Sequence, residues 1–413
     1  MLLLAVMGGG CLVDNPVYLG PAGETDGASG GASEDVTGAP PEPSSTAADE
    51  MDRGTSSGGA MGETSGDATP TCEGADCVGE VVCFDVEDPP YDVAVGDVDG
   101  DGALDLVSLS RSAGRAQLLR GDGAGGFEPD VAAAVGDDPR QVTTFRPVPG
   151  EPARAAVVSS GDDTLHILDF GGGAIALAVE PEPVAVAAGD ADGDGREDLA
   201  VTGRGGGWVQ WVRSDGALSY TPEEPASVDG TPSGVVLVSL DDDDAHDAVV
   251  ASRSGDDLTC FTSDGQGGLE EPVASSMLGV PTSIAAGDIN HTGGLDLAVG
   301  SPLPPGVVLL EEEADFTFST RETVYFLEEP GDVALADLDL DGNPELLVAM
   351  RSDNRVAVYR GFGDWDYGDP ENITLPGDGG GLAIADLDGN GSVDLAMTVE
   401  DTSQICVSLG AGG

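Results

Sequence analysis

The sequence predicts an all-β chain, a seven-bladed β-propeller set behind a disordered tether. Three observations predict it. Acidic loops recur at fixed spacing: Asp190, Ser239, Asp288, Asp337 and Asp386 stand 49 positions apart, four intervals in a row. That period suits a four-stranded propeller blade better than a solenoid of helices. Between the loops, apolar and polar residues alternate at period 2, with no sustained helical periodicity. The two ends of the chain also complement each other, because the last unit lacks an outer strand and a lone strand precedes the first unit.

Taken in order, residues 1–11 read Met1-Leu-Leu-Leu-Ala-Val-Met-Gly-Gly-Gly-Cys11. An apolar run leading through small residues to a cysteine resembles the end of a bacterial lipoprotein signal peptide, which implies lipidation of Cys11. Two departures stand against the resemblance: no basic residue precedes the run, and Gly8 replaces a large aliphatic residue. An ordinary secretory signal is the alternative. Residues 12–78 are rich in Gly, Ser, Thr, Pro and acids. Such a segment buries too little apolar surface to offset its ordering entropy and is expected to be a flexible linker.

The propeller is expected over 79–413. Its first unit shows the grammar of all of them. A short alternating strand, Asp92 to Asp97, runs into the loop Asp97-x-Asp99-x-Asp101-Gly102-x-x-Asp105. A β-type run over 104–109, a third strand near 116–119 and a Gly-rich turn at 121–126 follow. The next clear loop, Asp190-x-Asp192-x-Asp194-Gly195-x-x-Asp198, begins 93 residues later, nearly two periods. A degenerate unit therefore belongs between them, with an intact strand at 155–158 and a loop near 146–154 stripped of ligands. The count is seven, and the segment 79–86 is expected to supply the strand missing from the last unit, closing the ring. A β-helix is the alternative fold.

These units resemble the FG-GAP/VCBS repeats of bacterial surface proteins, which are similar to those of the integrin α-chain head. The resemblance is carried by an acidic loop followed by Leu-Asp-Leu-Val at 104–107 or Glu-Asp-Leu-Ala at 197–200. It implies the propeller fold and a protein or glycan docked on one face of the ring. It says little about function, since such propellers serve adhesion, assembly, lectin-like binding and catalysis.

Hard cations such as calcium take six to eight oxygen ligands. Carboxylates at loop positions 1, 3 and 5 converge if the chain turns sharply at position 6, where glycine stands, and a carbonyl at 7 and an acid at 9 complete the cage. Three loops offer four carboxylates each: Asp97, Asp99, Asp101 and Asp105; Asp190, Asp192, Asp194 and Asp198; Asp337, Asp339, Asp341 and Glu345. Asp386, Asp388 and Asp394 with Asn390 form a fourth, and Asp288 and Asp296 with Asn290 and Thr292 a weaker fifth. At Ser239, Asp241, Asp243 and Asp247, Asp244 replaces the glycine, so binding there is doubtful. Four to five Ca²⁺ ions are expected. The competing reading is a set of solvated Asp/Gly turns, which recurrence at fixed spacing argues against. Magnesium, which prefers a compact hydrated octahedron, fits less well.

The composition limits the function. There are 77 acidic residues, fifteen arginines and no lysine, for a formal net charge of −62. Nucleic-acid binding needs a cationic surface and is not expected, and a Walker-type loop or a lysine Schiff base is excluded. His166, His246 and His291 lie in different units, no His-Glu-x-x-His or Gly-x-Ser-x-Gly motif is present, and catalysis is not expected. Acids outside the loops, such as Glu311-Glu-Glu313, are expected to form a solvated face. Arg120-Gly121-Asp122 lies in an ordinary turn, and Trp208, Trp211, Trp365 and Tyr367 are expected to pack or plug turns rather than stack on sugars.

Cys83 in the closing strand and Cys406 in its neighbour are expected to form a disulfide, and Cys72–Cys77 a small loop, in an oxidising exported setting. Cys260 is left as a buried thiol. The expected protein is a monomeric, non-catalytic calcium-binding lipoprotein at the outer membrane or cell surface, touching membrane only through its lipid anchor. A periplasmic or secreted location is the alternative. A lectin and a polysaccharide-acting enzyme are the alternative functions.

Overall fold

The computed structural model describes residues 5–6 and 78–410, apart from 217–218, 242, 244, 255–256, 266–267 and 314–315. Cys11, the linker and the Cys72–Cys77 pair lie outside the described residues. Within them the chain is all β, arranged as seven sheets of antiparallel strands in sequence order. Blade 1 comprises Asp92–Gly96, Asp105–Ser110, Arg115–Gly121 and Phe127–Ala134. The innermost strands of blades 2 to 7 are Pro139–Phe145, Pro183–Gly189, Pro232–Val238, Ser283–Gly287, Pro330–Ala336 and Gly379–Ala385. Each packs beside the next, and that of blade 7 packs beside that of blade 1, so the ring is closed.

Burial falls from the axis outward. The inner strand Asp92–Gly96 is buried throughout, whereas the outer strand Phe127–Ala134 is mostly exposed. The cores lie between blades rather than within them. Leu106, Leu119 and Phe127 of blade 1, for example, meet Ala396, Ile405 and Val407 of blade 7. The apolar residues there are mostly Val, Leu and Ala, which fit the narrow space between twisted sheets. Each buried Val or Leu contributes about 1.5–3 kcal/mol by area, so the seam between first and last blades is held by a buried apolar core of its own.

The seventh sheet is completed by the strand Val78–Asp85, paired antiparallel with Gln404–Gly410. The observed closing strand begins one residue before the expected one. Cys83 lies opposite Cys406, and the two are disulfide-bonded. Gln404 Nε2 donates to Asp85 Oδ1 at 2.9 Å, Ser408 Oγ donates to the Gly79 carbonyl at 2.9 Å, and Phe84 meets Phe127 edge-on at 5.5 Å. Cys260 is free and buried, and burial pushes its thiol up to about 12. Blade 3 divides its outer strand into Tyr220–Pro222 and Ala226–Ser227. Ala5–Val6 pairs with the inner strand of blade 5.

Side chains on the inner strands fasten blade 1 to 2, blade 2 to 3 and blade 5 to 6. Asp92 Oδ2 accepts from Val142 N, Gln141 Oε1 accepts from Val186 N, and Ser283 Oγ donates to the Gly331 carbonyl, all at 2.9 Å. Asp92, Gln141 and Ser283 occupy one repeat position, five residues before the loop openings near 97, 146 and 288.

Candidate metal centres

The loop between first and second strands of each blade lies on one face of the ring, and six of the seven are acidic. Their geometry follows from short-range hydrogen bonds. The glycine at position 6 has a positive φ in five loops: 93° at Gly102, 83° at Gly195, 82° at Gly293, 94° at Gly342 and 88° at Gly391. Nothing crowds an added Cβ at these positions, so glycine is required by backbone conformation rather than by space. The position-1 carboxylate accepts from that glycine's N–H, as Asp190 Oδ2 does from Gly195 at 2.8 Å and Asp337 Oδ2 from Gly342 at 2.9 Å. Position 3 accepts from position 5, and position 5 from position 7, as in Asp99 to Asp101 to Ala103 at 3.0 and 2.8 Å. Asp97, Asp190 and Asp386 use both carboxylate oxygens to hold their loops, whereas Asp337 uses Oδ2 alone and keeps Oδ1 unpartnered.

The acid at position 9 plays a different part from the one its motif suggests. Asp105 is fully buried; its Oδ2 accepts from Val98 N at 3.0 Å, and its Oδ1 accepts from Gly121 N at 2.9 Å. The same pair of bonds is made by Asp198 to Ala191 and Ser214, by Asp247 to Leu240 and Ser263, by Glu345 to Leu338 and Gly361, and by Asp394 to Leu387 and Gly410. This residue ties its loop to the end of the third strand, and it does so even in blade 4. A carboxylate has about four lone-pair sites, so a closing acid tied in this way keeps capacity for a cation.

Four loops bring three carboxylates to within 4.8 Å of one another: Asp97, Asp99 and Asp101; Asp190, Asp192 and Asp194; Asp337, Asp339 and Glu345; Asp386, Asp388 and Asp394. No histidine or cysteine joins these clusters among the described residues. Buried oxygens without a hydrogen-bond partner point to what the loops would hold. They are Oδ1 of Asp192, Asp337, Asp288 and Asp296. An unpaired carboxylate oxygen is expensive to bury, and a divalent cation on oxygen ligands satisfies it. The residues therefore fit a hard cation.

Two features escaped the sequence reading. In the three loops with four carboxylates, an arginine stands 15 residues beyond the closing acid, at the end of the third strand: Arg120, Arg213 and Arg360. Arg120 contacts Asp99, Arg213 approaches Asp192 at 3.7 Å, and Arg360 reaches Asp339 at 2.7 Å. The carboxylate-poor loop of blade 5 carries Glu311 at the same place; its Oε1 accepts from Asn290 Nδ2 at 3.1 Å and its Oε2 pairs with Arg321. The expectation of a solvated face at 311–313 is corrected here, because Glu311 and Glu312 are half-buried and Glu312 Oε2 accepts from Leu295 N at 3.4 Å. Arginine is added where acids are many and glutamate where they are few, which brings the loop charges closer together.

Other residues singled out in the sequence prove structural. Trp208 and Trp211 are buried, and Trp208 Nε1 donates to the Pro181 carbonyl at 2.9 Å. Trp365 and Tyr367 pack against the core between blades 5 and 6. Arg120 and Asp122 are both engaged, Arg120 with Asp99 and Asp130, and Asp122 with the N–H groups of Ala124 and Gly126. His246 Nδ1 accepts from Asp190 N at 2.8 Å, and burial holds its pKa down. His291 Nε2 meets Asn343 Oδ1 at 2.6 Å, joining two neighbouring loops.

Burial raises the closing acids of the cation-free protein: Asp105, Asp247 and Asp394 to about 6, Asp198 and Asp296 to about 7, and Glu345 to about 8. An acid with a raised folded pKa holds its proton more tightly folded than unfolded. Stability then falls as pH climbs from the unfolded value near 4 through the folded values. In chelator, the melting temperature is expected to decline steadily from pH 5 to pH 8. Calcium favours the ionised carboxylates and should flatten that decline. Scanning calorimetry under both conditions checks it, and a chelated protein that gains stability over this interval contradicts it.

Residues 337–397, spanning the acidic loop of blade 6 into blade 7, match a family model of the FG-GAP-like repeat. No curated protein matches the chain by sequence. Among solved structures, BBS1N in its complex with ARL6DN superposes with a TM-score of 0.59 at 13% identity, covering 80% of this chain and 97% of that one. A streptogramin B lyase gives 0.56 at 12% identity, covering 81% and 98%. A catalytically inactive virginiamycin B lyase from Staphylococcus aureus, with quinupristin, gives 0.54 at 10% identity, covering 80% and 99%. At these identities the likeness shows the fold alone.

Proposed function

Starting from an FG-GAP-like repeat on a closed seven-bladed ring, we propose that the protein is a calcium-binding, non-catalytic interaction module. One observation carries the reading: oxygen-only clusters recur on a single face, with buried carboxylate oxygens left unpartnered among them. Calcium would be held by Asp97, Asp99 and Asp101, by Asp190, Asp192 and Asp194, by Asp337, Asp339 and Glu345, and by Asp386, Asp388 and Asp394, with a further site at Asp288, Asn290 and Asp296. The bound ion supplies charge neutralisation and a fixed geometry. The chain's own residues do the rest, since Asp105, Asp198, Glu345 and Asp394 each fix their loop against the third strand. The face so stiffened is offered to a protein or glycan of the cell envelope. The N-terminal cysteine pattern supports export with a lipid anchor at the outer membrane or cell surface.

The lectin reading is less well supported, because the tryptophans a sugar would stack on are packed into the blades. An enzyme on this scaffold would need acid–base groups outside the loops, and the three histidines lie in separate blades. The test is a pull-down from native envelope using the full chain, with calcium and with chelator. A protein or glycan retained only in calcium is the expected result. Retention indifferent to chelation, or turnover of a retained polysaccharide, counts against the proposal.

Titration calorimetry should also find four strong sites and a fifth that depends on Glu311. The variant Glu311→Gln is expected to weaken the fifth site about tenfold, near 1.4 kcal/mol, and leave the other four unchanged. Loss of all sites together would show that they are not independent loops.

A further inference from the structure

The opposite face has the reverse character. Second strands end there in turns, and Arg111, Arg204, Arg253 and Arg351 stand in those turns, 14 residues after the openings at 97, 190, 239 and 337. Arg140, near the start of the inner strand of blade 2, joins them. A chain with only fifteen arginines thus gathers five of them around one end of its axis. Between them lies a cavity of about 90 Å³ to which every blade contributes, bordered by Arg140, Arg204, Arg253, Arg351, Asp92 and Asp332.

The guanidinium groups are poorly compensated. Asp138 bridges Arg111 at 2.6 Å and Arg140 at 2.5 Å. Arg204, Arg253 and Arg351 form no ion pair among the described residues, and Nε of both Arg140 and Arg204 is buried without a partner. Burial, then the neighbouring Arg253 and Arg140, lowers the Arg204 pKa; burial, then Arg351, lowers that of Arg253. The two nearby carboxylates do not neutralise the site. Asp92 is committed to Val93 N and Val142 N, both at 2.9 Å. Burial holds both Asp92 and Asp332 above the ordinary carboxylate range, and the neighbouring Asp332 raises Asp92 further.

We propose that this end of the channel binds a compact oxyanion, a sulfate, phosphate or carboxylate group, between the side chains of Arg140, Arg204, Arg253 and Arg351. Planar guanidinium forks match such groups in two-point hydrogen bonds, and a partly desolvated site strengthens them. The net charge of −62 repels anions at a distance. Recognition must therefore come from these short contacts, which moderate salt screens less than the long-range field. The group could arrive as a free ion or on a sugar such as a uronic acid. The site is separate from the acidic loops and does not depend on their occupancy.

The test is titration of the full chain, at millimolar calcium and constant ionic strength in chloride, with sodium sulfate in one arm and sodium glucuronate in the other. Saturable binding of at least one is expected, and its identity separates free ion from sugar-borne group. Arg204→Gln with Arg253→Gln should weaken binding at least ~tenfold, and Arg115→Ala, whose side chain pairs with Glu87 and Asp88 away from the cavity, should not. If the double variant fails to fold, the exposed Arg351→Gln decides, again by a loss of several-fold. No saturation by either anion, or equal affinity in folded Arg204 and Arg253 variants, overturns the proposal.

Discussion

Excess chelator lowers the melting temperature by roughly 15–20 °C relative to millimolar calcium. Four loops each hold three carboxylates within 4.8 Å of one another. Without a cation they repel at close range in a partly buried setting, where Coulomb energies are several times those in water. A ligand present at a hundredfold excess over its Kd adds about 2.7 kcal/mol per site. Four such sites approach the whole net stability of an ordinary domain, about 5–15 kcal/mol. The variant Asp337→Ala should forfeit about one site's share, and chelator should then have less left to remove. Calorimetry in EGTA and in calcium checks both, and superimposable melting curves would sink the cation assignment.

Reduction of the Cys83–Cys406 bond has the second largest expected effect. The bond spans 323 residues and joins the closing strand to its neighbour. The chain-entropy model assigns a loop of that size about 6 kcal/mol, and measured disulfides more commonly give 2–4 kcal/mol. A melting temperature lower by about 5–8 °C is expected for Cys83→Ser with Cys406→Ser. Proteolysis should then begin at Val78–Asp85, because a freed edge strand opens locally before the ring does. Cleavage starting inside an inner strand would show that closure does not depend on this seam.

The propeller was legible because its signals are local and repeated. The 49-residue spacing gives the blade count, and period-2 runs give the strands. The blade whose loop lacks the acidic pattern could be counted because its strand Arg154–Ser159 remains where the spacing requires it. The closing acids were less legible. Asp105 looks like a ninth ligand, but its bonds reach Val98 seven residues back and Gly121 sixteen ahead. The loop pattern contains only the first of these. Arg120, Arg213, Arg360 and Glu311 act on loops 19–23 residues upstream, across a strand pairing that the local motif does not show. Arg111, Arg204, Arg253 and Arg351 share a repeat register, yet each stands alone in its own turn, Arg140 comes from an inner strand, and only ring closure brings them together.

The closing strand also decides how the molecule answers a mechanical pull. A force carried by the segment leading directly into Val78 enters through the outermost strand of blade 7, which is paired to Gln404–Gly410. Hydrogen bonds near Val78 would yield first. Unzipping would then halt at Cys83, where tension passes through a covalent link into the third strand of the same blade. Under load the ring is latched five residues from its free edge, and single-molecule stretching should show a short, reversible extension before any blade is lost.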